Sequence, residues 1–274
     1  MKFPKLRTIL LAPVILFAAF YLLGVIVNTL NQDLVPVLET IPASQGTVAI
    51  FGVSGTAGDG ILKATLANPE IERVLVVTRR LTPRIEQGVA SGKVLVTMHQ
   101  DYLDYSAISE LLPQLDAVYW AIGISSIGMD EETYGMIHVD FPVNFVTEWM
   151  NAGVKPGSSF HYISSSDISE DSSQMWAREK VRAENTLFDL AEGTNLRVIA
   201  YRPDYIGPTA QEANLGQTLL YGFFKPVGAA VKATQIGQAM IEVMARGTEF
   251  SNGDKLSTRK IVQYSNAYEN RLDL

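Results

Sequence analysis

Six short apolar runs punctuate the chain from residue 47 onward: TVAIF (Thr47–Phe51), RVLVVT (Arg73–Thr78), KVLVT (Lys93–Thr97), AVYWAI (Ala117–Ile122), FHYIS (Phe160–Ser164) and LRVIAY (Leu196–Tyr201). Apolarity that continues through a run, instead of alternating with polar residues, marks a strand covered on both faces, as in a parallel sheet. Between the runs, apolar residues fall three and four apart in Gly58–Ala67, Ile108–Leu115, Val139–Ala152 and Met175–Ala191, which predicts helices. NAG (151–153) and EGTN (192–195) supply glycine stops for the last two. A helix over Ala229–Ala245 and a late strand over Leu256–Tyr264 complete the set. Strands alternating with helices predict an α/β fold, a doubly wound parallel sheet with right-handed crossovers.

A different pattern precedes this one. Ile9 to Val27 is an uncharged run of 19 residues, about 28 Å as a helix, close to the thickness of a hydrocarbon core. It is longer than the ~7–15 apolar residues usual in a secretory signal. The sequence therefore divides into an N-terminal membrane anchor (1–28), a linker with Pro36 and Pro42 (29–45) and one nucleotide-binding domain (46–274) whose C-terminal part is a small substrate region. Lys2, Lys5 and Arg7 precede the apolar run, while 28–46 has no Lys or Arg, so charge asymmetry places the N-terminus on the cytoplasmic side. That orientation sets the domain across the membrane from cytosolic cofactor, and the sequence leaves the domain's side open.

Composition narrows the function. The 274 residues carry a formal charge of −7 with no basic stripe, which argues against nucleic acid as a partner. The absence of cysteine removes disulfides, thiolate nucleophiles and thiolate metal sites. His99, His138 and His161 share no metal-ligand spacing, so no metal site is expected. Ser54 has its neighbouring glycines at the wrong offsets for a hydrolase nucleophile elbow, and Asp130, Glu131 and Glu132 read as a solvated acidic loop.

The first strand runs into GVSGTAG, with Gly52, Gly55 and Gly58, and then into a helix. Glycines so placed permit a tight turn, close approach of a pyrophosphate to the backbone, and close packing of helix on strand, while the helix N-terminus favours the anion. The second strand ends in Thr78-Arg79-Arg80, where an NAD site would carry an acidic residue for the ribose 2′-hydroxyl. Arginines there match a 2′-phosphate, so NADP(H) is expected over NAD(H). Asp101, after the third strand, is a candidate for the adenine amino group and equally a loop aspartate.

GVSGTAG (52–58), VVTRR (76–80), WAIG (120–123), HVD (138–140), HYISSSD (161–167), WAREKVRAENTL (176–187) and YRPDYIGP (201–208), in this order, make the chain resemble the short-chain dehydrogenase/reductase superfamily. The likeness is to its extended and atypical Rossmann-like members, of the Tat-interacting-protein oxidoreductase type, and covers Thr47 to Pro208. It implies cofactor contacts at Gly52, Ser54, Gly55, Thr56 and Gly58, at Arg79, Arg80 and Asp101, at Ala121 and Gly123, and at Lys180 and Pro203. It also implies a catalytic serine, tyrosine and lysine. By position the serine is Ser165, with Ser166 as rival, and the lysine is Lys180, but the tyrosine position holds Trp176. An indole N–H cannot deliver and recover a proton near neutral pH. Three readings follow: Tyr162, Tyr205, His161 or a water on Ser165 substitutes as acid; the acceptor needs no such acid, as a flavin or quinone does not; or the protein is a membrane-tethered NADP(H)-binding scaffold without turnover. The partner is accordingly a small-molecule substrate or a protein, with a homo-oligomer open.

Overall fold

A computed structural model describes residues 6–31, 34–36, 38, 46–209 and 213–272. Most of the expected linker, together with Lys2, Lys5 and Pro42, lies outside the described residues. In chain order the elements are α1 (Leu6–Leu30), β1 (Thr47–Phe51), α2 (Thr56–Ala67), β2 (Arg73–Thr78), α3 (Pro83–Ala90), β3 (Val94–Met98), a 3₁₀ segment (Ser106–Gln114) and β4 (Ala117–Trp120). Then come α4 (Glu131–Gly135), a π-turn (Met136–Asp140), α5 (Phe141–Ala152), β5 (Ser159–Ile163), α6 (Met175–Ala191), β6 (Arg197–Arg202) and β7 (Tyr205–Gly207). The chain continues through α7 (Leu215–Phe224), β8 (Ala230–Lys232), α8 (Ala233–Ala245), β9 (Asp254–Ser257) and α9 (Thr258–Leu272).

Seven strands form one parallel sheet in the order β3-β2-β1-β4-β5-β6-β9. The order reverses between β1 and β4, which leaves a crevice at their carboxyl ends where a doubly wound fold binds its ligand. One face of the sheet packs on α2, α8 and α9 through Val48, Ile50, Ile61, Ile236, Met240 and Ile261. The other packs on the 3₁₀ segment, α5 and α6 through Phe51, Trp120, Phe145, Trp149, Phe160 and Leu187. Both faces being covered explains why β1, β4 and β5 read as unbroken apolar runs.

Three expectations are corrected. The strand expected over Leu256–Tyr264 is only the short β9; from Thr258 the chain is helical, because Ile261, Ser265 and Tyr268 bury one side of α9 while Arg259 and Lys260 face solvent. The helix expected from Ala229 begins at Ala233, its first residues being β8, which pairs with β7. The helix expected from Val139 is the end of a longer helical stretch that starts at Glu131, where Asp130 accepts the Thr133 N–H at 2.8 Å as N-cap. Helix α3 has no counterpart among the sequence-based expectations; Thr82 caps it and Pro83 opens it.

Candidate active site at the carboxyl edge of the sheet

The glycine loop leaves β1 at Gly52, whose φ of +77° suits glycine and where a Cβ would come within 2.4 Å of the Ala121 backbone. Gly58 is equally committed: a Cβ there would meet the Gly52 carbonyl oxygen at 2.2 Å, so the missing side chain is what brings α2 onto the loop. Gly55 differs. It is the N-cap of α2, it carries no side-chain cap, and a Cβ would find only the Gly52 oxygen at 3.4 Å. Ser54, Gly55 and Thr56 are exposed. The start of α2 thus presents backbone N–H groups toward open space at the positive end of a helix, a surface fitted to a pyrophosphate.

Arg79 and Arg80 are exposed just past β2, and Arg80 Nη2 donates to the Ser54 carbonyl at 3.1 Å, laying its guanidinium across the loop. Inward from them, Arg84 grips Asp59, in the first turn of α2, with bonds of 2.6 and 3.1 Å, and Thr209 donates to the same carboxylate at 3.1 Å. Asp101 is exposed and accepts the Leu103 N–H at 2.9 Å, so one of its oxygens shapes the loop after β3. Ala121 and Gly123 lie on the loop leaving β4, and a Cβ at Gly123 would approach His138 to 3.1 Å.

Lys180 is the most constrained member of the group. It projects from α6 toward the end of β5, where Nζ donates to the Ile163 carbonyl at 3.0 Å and lies 3.4 Å from the Tyr162 hydroxyl. The residue is buried, and that desolvation pulls its pKa down to about 7, with Glu184 acting in the opposite direction. Its charged neighbours are not ordinary solvated groups either. Glu179 and Glu184 are buried; Glu179 pairs with Arg182, and Glu184 accepts from Arg202 Nε at 2.9 Å.

Two residues of this cluster lay outside the expected site. The His138 backbone carbonyl accepts the Tyr162 hydroxyl at 3.0 Å, and the Tyr134 ring lies 4.1 Å from the His138 ring. Burial lowers the His138 pKa to about 3, helped by Lys180, so the imidazole is neutral. Burial, then Glu179, pushes Tyr134 up to about 12. His138 Nδ1 and Ser164 Oγ are buried without hydrogen-bond partners among the described residues. The signal for His138 was present in the HVD motif; nothing local to Tyr134 points to Lys180, because a fold of about forty-five residues separates them.

Ser165 follows β5 and is half-buried, Ser166 donates its N–H to the Pro203 carbonyl at 3.2 Å, and Trp176 is half-buried one helical turn before Lys180. The chain thus brings Lys180 to the end of β5, two residues before Ser165. The phenols and imidazole considered as substitutes for the missing tyrosine are engaged elsewhere. Tyr162 is fully buried, its pKa raised well above normal by desolvation. His161 points to the opposite sheet face, held between Ser159 at 2.8 Å and Tyr201 at 2.9 Å, with its pKa lowered by burial to about 3. Tyr205 lies against Phe224 of α7, and Asp204 is tied to Thr258 at 2.6 Å. Among the described residues no three His, Asp or Glu side chains gather as a metal site.

No family model matches the chain. Over 216 residues it is 27% identical to the mitochondrial protein fmp52 of Aspergillus niger, covering 76% of this chain and 89% of that one. A short-chain dehydrogenase/reductase from Saccharomyces cerevisiae superposes with a TM-score of 0.60 at 14% identity, over 78% of this chain and 96% of that one. BdcA in complex with NADPH gives 0.58 at 14% identity, over 78% and 93%, and a UDP-glucuronic acid 4-epimerase from Bacillus cereus in complex with NAD gives 0.58 at 15%, over 77% of each. With this sheet order and these superpositions, the chain carries the Rossmann-like fold seen in short-chain dehydrogenase/reductase structures.

Proposed function

We propose that the chain is an NADP(H)-binding oxidoreductase, tethered by α1 to a membrane, whose acceptor is reduced without a phenolic acid. The observation that carries the cofactor reading is the uncapped N-terminus of α2 at Gly55 with Arg80 reaching over the same loop. The amides of Ser54 and of Thr56 to Gly58 hold the pyrophosphate, the Gly55 N–H being taken by the Gly52 carbonyl at 3.0 Å; Arg79 and Arg80 receive the 2′-phosphate, and Lys180 serves the nicotinamide ribose. The complexes of its structural neighbours with NADPH and with NAD support a nicotinamide nucleotide in this fold; the arginines favour the phosphorylated one. When bound, that cofactor supplies a hydride.

Proton delivery decides the class of acceptor. Reducing an isolated carbonyl creates a strongly basic alkoxide, and general-acid help is worth roughly 10²–10⁴ in rate. Trp176 supplies none, and Tyr162 and His161 are sealed in the core. A conjugated acceptor such as a quinone or flavin spreads the incoming charge and takes its proton from water, so it suits a site with Trp176 at the tyrosine position. Helix α1, whose 18-residue apolar stretch Pro13–Leu30 is long enough to cross a bilayer and is not buried, supports the tether.

The test is NADPH oxidation by the full chain against parallel panels of quinones and of simple carbonyls, with Trp176→Tyr beside it. Quinone reduction by the natural chain, with carbonyl reduction appearing only in Trp176→Tyr, is the expected result. NADPH binding with no oxidation by any acceptor overturns the enzyme in favour of a nucleotide-binding scaffold.

A further inference from the structure

Helix α7 buries none of its residues, although LGQTLLYGFF is among the most apolar stretches of the domain. Leu215, Leu219, Leu220 and Phe223 recur at helical spacing and are 78%, 65%, 47% and 42% exposed. A surface of this kind, held on a folded domain, marks a place where something apolar docks. Its other side is anchored: Tyr221 packs on Gly207 and Phe224 on Tyr205.

What lies beside α7 says what covers it. Helix α1 runs along the end of α7: the Tyr21 hydroxyl donates to the Phe223 carbonyl at 2.8 Å, and Asn28 Nδ2 donates to the Pro226 carbonyl at 3.2 Å. Phe17, Tyr21 and Phe223 stack with ring centroids 5.2 to 6.4 Å apart. Tyr21 stands nine residues before the end of α1, about 13 Å along a helix. If the apolar stretch of α1 is in lipid, Phe223, which stacks on Tyr21, lies at the depth of its C-terminal half, with Leu219 and Leu220 in the preceding turn of α7.

The polar surroundings match a lipid headgroup layer. A cavity of about 180 Å³ between α1, α7 and α9 is bordered by Lys225, Arg259, Asn28 and Asn266, and a second of about 310 Å³ on the far side of α7 is bordered by Lys63 and Lys232. No carboxylate lines either one among the described residues, and none of these four exposed cations pairs with an acid there, although the chain as a whole carries −7. Cations flanking an apolar helix suit anionic phosphates above an acyl layer.

We infer that α7 is a second, in-plane membrane element, which enters one leaflet beside α1 and is held there by Lys63, Lys225, Lys232 and Arg259 on anionic phospholipid. This rests on the reading of α1 as a membrane anchor and extends it. The consequence is that the domain is seated against the bilayer in one orientation instead of swinging from a tether, with both cavities opening at the headgroup level.

The absence of cysteine makes the experiment direct. In the full chain reconstituted into phosphatidylcholine–phosphatidylserine vesicles, Leu219→Cys, Leu16→Cys and Ser109→Cys each receive one nitroxide, and collision with oxygen is compared with collision with a water-soluble nickel chelate. Labels at Leu16 and Leu219 are expected to favour oxygen, and the label at Ser109 the chelate. A lipid-like label at Leu16 with a water-like one at Leu219 overturns the role of α7 and leaves the anchor standing; water-like labels at both overturn both. A label at Leu219 shielded from both reagents also overturns the inference, since a protein then covers α7. Adding Lys225→Glu, Lys232→Glu and Arg259→Glu should lower the oxygen-to-chelate ratio at Leu219 at least fivefold in these vesicles; no change overturns the electrostatic part.

Discussion

The Lys180 ammonium sits 3.0 Å from the Ile163 carbonyl and is closed in by the Tyr162 ring, whose centroid is 5.0 Å away. A cation held there loses most of its hydration, which is why its pKa falls to about 7 from 10.5. Between those two values the unfolded chain binds a proton at this position that the folded chain has released, so stability contributed by this position rises with pH through that window. Lys180→Met should therefore stabilise the chain at pH 7 by a few kcal/mol, on the order of 3, and flatten the rise between pH 7 and 10. Thermal unfolding of both proteins across that range measures it, and parallel pH curves contradict the buried-charge account.

Arg80 reaches the phosphate loop from β2, so its loss should be felt by the phosphorylated cofactor alone. Arg80→Ala is expected to weaken NADPH roughly 10- to 100-fold, the range of one or two charge-assisted hydrogen bonds, and NADH hardly at all. Equal losses for the two, measured by fluorescence titration, would show that the arginine shapes the loop and does not read the 2′-phosphate.

The terminal helix is fastened by buried ions. Glu242 in α8 accepts from Arg246 at 2.8 Å and from Arg271 of α9 at 2.7 Å, with all three side chains almost fully buried, and Arg271 also pairs with Glu70. Removing the shared carboxylate leaves two buried guanidiniums with one acid each, Glu249 for Arg246 and Glu70 for Arg271. Glu242→Gln should cost about 3–5 kcal/mol in urea unfolding, against less than about 1 for breaking the exposed Arg178–Glu131 pair by Glu131→Gln.

Burial keeps His138 and His161 neutral, with pKa values of about 3. Their imidazole resonances should stay unchanged from pH 8 to 5 in a histidine-labelled sample. Since the unfolded chain takes up these protons near pH 6.5, stability should fall as pH drops below that value. Titration of either ring above pH 5 would mean that the enclosing contacts open.

The sheet was legible because its strands are covered on both faces, which writes itself as continuous apolarity: β1, β2 and α6 lie where the pattern puts them. Residues 256–264 misled because LSTRKIVQY fits a strand as readily as a helix over so short a window. The helix wins through partners remote in sequence, Gln238 beneath Ser265 and Glu242 beneath Arg271. Helix α3 opens on Thr82-Pro83, a cap followed by a proline at the first helical position, but its eight residues are too few and too polar to show an apolar period. At the site, the glycine loop could be read because its three glycines fall within seven residues between a strand and a helix. The enclosure of Lys180 could not, because Tyr162 comes from β5 and His138, which accepts the Tyr162 hydroxyl, from the helical stretch before α5.

Calorimetric titration of the full chain with NADPH, beside Gly55→Asp, decides whether the open N-terminus of α2 holds the cofactor. Gly55 has a φ of −98° and room for a side chain, so the substitution should leave the thermal midpoint within a few degrees while a carboxylate occupies the phosphate position. The natural chain should bind and the folded variant should not. Equal binding by both, or no binding by the natural chain, contradicts it.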